Sequence, residues 1–246
     1  MRLPELHTSG SDRFIRFLFQ ATGVLIVVHL INLVIGGPSW QLERLFALGE
    51  ENNIPTWFSS LIWGLSAFAA YRCSTLVDVQ SSKTSWICLS ILFLSFSIDE
   101  IAMIHESFFG VMSRFTPQSF QVVLSDFRAS NWPIIAAPFL VLALIWLNQI
   151  FKRLAISRSA WKLIGFGLFL VIFGGFGLEI TINFLNHNEL QWLWEIESVF
   201  EESFEIIGSI FILSGLLNQY QYLDLKIKAL NLDSSISSEA KEHSFV

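Results

Sequence analysis

Six stretches of this chain stay apolar for most of about twenty residues, and no motif narrows its fold as much. That is the length a helix needs to cross the bilayer's hydrocarbon, where an unpaired backbone N–H or C=O finds no water. The stretches run from Phe14 to Gly36, Trp57 to Tyr71, Ser85 to Ile104, Trp132 to Phe151, Trp161 to Leu185 and Gln191 to Leu217. They predict an all-α fold, a polytopic membrane helix bundle of about six transmembrane helices. Residues 1–12 form the N-terminal segment, 13–218 the transmembrane domain and 219–246 a tail. With 53% hydrophobic and 15% charged residues, the apolar share exceeds that of ordinary soluble domains.

The distribution of Lys and Arg sets the expected orientation, since cytoplasmic flanks retain them. The N-terminal flank, the second and fourth loops and the tail hold twelve of the fifteen, leaving Arg44, Arg114 and Arg128 on the other side. Both termini are therefore expected in the cytoplasm, with the bacterial inner membrane as the location. The first span could instead be a cleaved signal peptide, but the run is long for one, and His29 and Asn32 interrupt it. A net charge of −6 supplies no basic surface for DNA or RNA, so the bilayer is the expected partner and nucleic acid is not.

Two short interfacial helices are predicted in the outer loops. One covers Ser39 to Gly49, with Ser39 as N-cap and Gly49 as C-terminal cap; the other starts at Thr116-Pro117 and carries Phe120, Val123, Leu124 and Phe127 at helical spacing. In the fifth span Gly167, Gly174 and Gly177 share one face, which predicts close helix approach. Beyond about Leu230 the tail is Ser-rich and aperiodic, so disorder is expected. Cys73 and Cys88 cannot build a disulfide framework and are read as reduced.

The chemistry lies in acids placed inside apolar helices. In the third span, Asp99 and Glu106 fall within about 20° of each other on a continuous helix, with Glu100 and His105 flanking that stripe. The sixth span carries Glu195, Glu197, Glu201, Glu202 and Glu205 within an arc of about 160°. Such a helix is amphipathic within the membrane, and its acidic side must face the bundle interior or water. Glu179 and Asn183 of the fifth span and His29 and Asn32 of the first join the same outer half. The only Lys or Arg within the predicted spans are Arg16 and Lys162, both in the first few residues at the cytoplasmic ends, far along the helix from these acids.

Several carboxylates cannot stay charged there together, because each ionised acid near the bilayer centre costs about 2.5–3.5 kcal/mol. Protons, a divalent cation or water from the outer side can relieve the imbalance. Imidazoles among the acids favour Mn, Fe or Zn over Ca or Mg. The candidate ligands are Asp99, His105, Glu106, Glu179, Glu201, Glu202 and Glu205, with His29, Asn32, Glu100, Asn183 and Glu195 as outer supports. The Glu-x-x-His pattern of di-iron bundles is absent, since Ala102 stands three residues before His105.

The segment Asn53-Ile54-Pro55-Thr56-Trp57-Phe58-Ser59-Ser60, with Ser97-Ile98-Asp99-Glu100 and His105-Glu106, resembles a family of uncharacterised bacterial multipass membrane proteins. Glu201-Glu202-Ser203-Phe204-Glu205-Ile206-Ile207-Gly208 resembles their acidic segment in the last span. The resemblance implies a six-helix membrane fold and brings no activity. Known membrane enzymes fit poorly: five His are too few for a desaturase, and Ile206 stands where the CAAX-protease-like pattern has Arg. The leading reading is therefore an outward-facing carboxylate and His cluster that binds or moves a divalent cation or protons. The alternatives are a membrane enzyme acting on a lipid-soluble substrate through a metal or a carboxylate pair, and a structural or assembly protein.

Overall fold

The computed structural model describes residues 9–36, 39–104, 107–108, 111, 132–178, 180–181 and 192–242. Among them are seven α-helices and no strand: α1 (Ser9–Ile35), α2 (Trp40–Phe46), α3 (Ile54–Ser74), α4 (Gln80–Ala102), α5 (Trp132–Lys152), α6 (Arg158–Ile172) and α7 (Trp192–Glu242). A π-helical segment, Phe173–Leu178, extends α6.

Four helices are long and apolar enough to cross a membrane: α1, α4, α5 and α6 with its π extension. Within the apolar windows of these helices only 11–22% of residues are buried in the protein. Val24, Val27, Phe17, Leu142 and Phe169 instead point outward. An apolar surface of this extent needs hydrocarbon around it, which points to a membrane protein. The other two expected spans, α3 and the first half of α7, are helical where predicted but more polar. The inward side of α3 includes Thr56, Ser59, Ser60, Ser66 and Ser74, all buried.

The hub is α7, which packs on α6, α3, the π segment and α1, while α3 pairs most extensively with α4. Small residues let these backbones approach. Ser60 Oγ donates to the Ser97 carbonyl at 2.7 Å and Ser97 Oγ donates to the Ser60 carbonyl at 2.8 Å, so the two serines lock α3 to α4. A Cβ on Gly167 would come within 2.5 Å of the Gly208 carbonyl, and one on Gly208 within 2.7 Å of the Gly167 carbonyl. The α6–α7 crossing is thus a glycine-to-glycine contact. Ile62, Trp63, Trp86, Leu89, Phe93, Ile206, Ile210 and Leu213 fill the core between these pairs.

Several boundaries depart from expectation. The first short helix of the outer loops is present with Ser39 as N-cap, but it ends at Phe46, and Ala47 leaves it in extended backbone. Gly49 caps nothing; it lies against the Ser198 hydroxyl of α7, where no side chain would fit. The second interfacial helix falls outside the described residues. At the other end of the chain α7 continues to Glu242 where Ser-rich composition predicted disorder. No Gly or Pro follows Gly215 to stop it, and extending a helix is far easier than starting one.

Candidate functional site

The N-terminus of α3, the C-terminus of α4 and the first turns of α7 meet at one end of the bundle, and the carboxylates gather there. Asn53 prepares the meeting. Its Oδ1 accepts the Thr56 N–H at 3.1 Å as N-cap of α3, and its Nδ2 donates to the carbonyls of Ala47 and Glu50, both at 2.6 Å. Asn52 turns the chain with φ of 59°, a left-handed conformation that Asn tolerates better than most residues. The loop so folded sets Glu51 beside the acids of α4 and α7.

Trp63 positions the acid of α4. Phe93 stacks on its ring at 5.8 Å and Phe96 meets it edge-on at 5.0 Å, which fixes the indole so that Nε1 donates to Glu100 Oε1 at 3.2 Å. Ser59 sits one helical turn earlier on the same face. Its buried hydroxyl neighbours Glu100 without a hydrogen bond of good geometry. Glu51 and Asp99 are the carboxylates whose charge reaches Glu100.

Glu202, half-buried on α7, lies at the centre of the group. The charges that act on it most are all carboxylates: Glu205, then Glu100, Glu201 and Glu51. Five acids from the loop, α4 and α7 therefore share one region. The π segment makes room for them. A Cβ on Gly175 would collide with the Glu205 carboxylate, and one on Gly174 would stand 2.9 Å from the Glu201 carbonyl. Gly177, expected on the contact face, turns instead towards the ring of Phe173. The π segment has more residues per turn than the α-helix on which the expected face was drawn.

The expected site is thus only partly assembled. Glu201, Glu202 and Glu205 come together as predicted. Glu100, expected as an outer support, is the acid of α4 whose charge acts on Glu202, and the charge of Asp99 acts on Glu100. The continuous helix on which the stripe beyond Asp99 was drawn ends at left-handed Met103, φ 50° and ψ 40°. His29 and Asn32 line a separate cleft. His105, Glu106, Glu179 and Asn183 lie outside the described residues, and Glu195 is described only as part of helix α7. Among the described residues no three His, Cys, Asp or Glu are grouped so as to hold one metal ion.

Sequence reasoning missed Glu51, Ser59 and Trp63. A signal for Glu51 exists in Asn52-Asn53 ahead of Pro55, a turn and cap that fold the preceding acids back on the helix. The Ser59-x-x-x-Trp63 spacing marks one face of α3.

Residues 18–219 match a family described as "Domain of unknown function (DUF8692)". The chain belongs to this family. The matched stretch contains all five clustered carboxylates, together with Trp63 and the glycines of the π segment. No curated protein and no solved structure matches the chain.

Proposed function

We propose that this DUF8692 member is a six-span membrane protein, with both termini cytoplasmic, whose carboxylate cluster takes up and releases protons from the opposite side. The observation that carries the reading is the setting of Glu202, on which, among the described residues, the charges of Glu205, Glu100, Glu201 and Glu51 act together. Like charges in a poorly hydrated place need a mobile positive partner, and a proton is the one that needs no ligand geometry. The Trp63 N–H supports the same reading, because a neutral donor can hold Glu100 without cancelling its charge. A divalent cation would need a tighter gathering of ligands than the described residues make.

Infrared difference spectroscopy on the full chain in lipid nanodiscs, paired with metal analysis, tests the proposal. The expected result is a protonated-carboxyl C=O band at neutral pH that titrates with pH, shrinks in Glu202→Gln and is accompanied by no stoichiometric metal. A wild-type protein lacking that band, or carrying one bound Mn, Fe or Zn that Glu202→Gln releases, overturns it.

A further inference from the structure

A second polar site lies at the same end of the bundle, on the far side of the loop that follows α2. It is an open cleft of about 510 Å³ between the last turns of α1 and helix α2. His29, Glu43, Arg44 and Glu50 bring it mixed charge. None of them belongs to the carboxylate cluster described above.

The state of each group follows from its partners. The His29 ring is buried and its Nδ1 accepts the Leu48 N–H at 3.3 Å. The Glu43 carboxylate reaches back over the end of α1, with Oε1 3.8 Å from where a Cβ on Gly36 would stand. Arg44 lies over the Trp40 ring, 5.5 Å from its centroid, and makes a loose ion pair with Glu50 at 3.7 Å. That spacing leaves most of its forked donors for another acceptor. Among the described residues that line it, the cleft thus offers two carboxylates and one guanidinium.

Leu33, Trp40 and Ala47 add apolar surface to the lining. On the same two helices, next to the lining residues in sequence, Val34 and Ile35 are 84% and 76% exposed, and Leu42 and Leu45 are also exposed. The cleft sits at the end of a candidate span, the level at which head groups lie and Trp side chains concentrate.

We infer that this cleft binds the head group of a zwitterionic phospholipid bearing a primary ammonium, with the phosphate on Arg44 and the ammonium on Glu43 and Glu50. The phosphate exchanges the loose Glu50 pair for a forked contact, and Glu50 then turns to the ammonium. The acyl chains lie along Val34, Ile35 and Leu42. An anionic head group without an ammonium brings nothing for Glu43 and Glu50 to accept from. A trimethylammonium has no N–H for the carboxylates, and Arg44 already covers the Trp40 face it would otherwise use.

Native mass spectrometry of the full chain in detergent, titrated with dioleoyl phosphatidylethanolamine, phosphatidylcholine or phosphatidylglycerol, provides the test. One ethanolamine lipid should be retained about tenfold more tightly than either alternative. Glu43→Gln and Arg44→Ala, both at positions outside the core, should each remove that preference, with circular dichroism confirming unchanged helix content. Glu202→Gln should leave it intact, which separates this site from the proton reading. Equal retention of the three lipids, or a preference that survives both cleft variants, overturns the inference.

Discussion

The two ends of the bundle, both reached by α7, handle buried polarity in opposite ways. At one end Gln219, fully buried, accepts the Ser157 N–H through Oε1 at 2.8 Å and donates from Nε2 to the Ala155 carbonyl at 3.1 Å. Close by, Arg72 donates to the Tyr220 hydroxyl at 2.6 Å and lies over its ring. This end uses neutral amides and a partnered cation, so its polar groups are satisfied within the fold and clamp the loop before α6 to α7. At the other end Glu202 is surrounded by acids. Neutral hydrogen bonding cannot close that account, so something from outside must. The contrast separates polar burial that holds the bundle together from polar burial that leaves chemistry to be completed.

Four measurements break or sharpen this comparison. The largest effect is expected from Gln219→Leu, which strands a buried N–H and a buried C=O. It should lower stability by about 2–4 kcal/mol in denaturation of the detergent-solubilised protein. A change near zero would mean that the glutamine end is not the structural one. Next comes Gly175→Ala, whose methyl enters the space of the Glu205 carboxylate. A loss of about 1–3 kcal/mol is expected, together with altered proton titration in the infrared spectrum. An unchanged titration would separate the π segment from the site.

A smaller effect should follow Glu202→Gln. An amide matches a protonated carboxyl in shape, so stability should move by less than about 1 kcal/mol while proton binding is lost. Marked destabilisation would place Glu202 with Gln219 as a structural residue. The smallest effect belongs to Lys228, which donates to Asp224 Oδ2 at 2.7 Å on the exposed end of α7. That carboxylate holds the ammonium above its ordinary value of 10.5. A raised Lys value contributes stability below pH 10.5 that is lost as pH climbs past it. Helix content should therefore be flat from pH 7 to 9, and Lys228→Ala should shift the melting midpoint by no more than experimental scatter.

Much of the architecture could be read from particular residues. Ser39 as a helix cap and the start of α5 at Trp132 follow from local chemistry and apolar length, which act over a few neighbouring residues. The gathering of Glu201, Glu202 and Glu205 follows from the acidic arc of a single helix. Where the reading failed, the cause was a departure from ideal helix geometry or a contact from a distant segment. Met103 in the left-handed region ended α4 four residues after Asp99, and the π segment placed Gly175 rather than Gly177 beside Glu205. Glu51 entered from a loop that spacing alone cannot fold back.

The sequence by itself determined that this chain is helical, largely apolar on its outside, and burdened with acids inside apolar helices. Those are properties of composition and period, and each helix expresses them alone. Which acids meet, and that they meet at Trp63 and Gly175 while His29 and Arg44 open on a different cleft, was decided by tertiary packing. Helix crossing points depend on where two backbones can touch, and a one-residue shift in a turn is enough to point a carboxylate at a new neighbour.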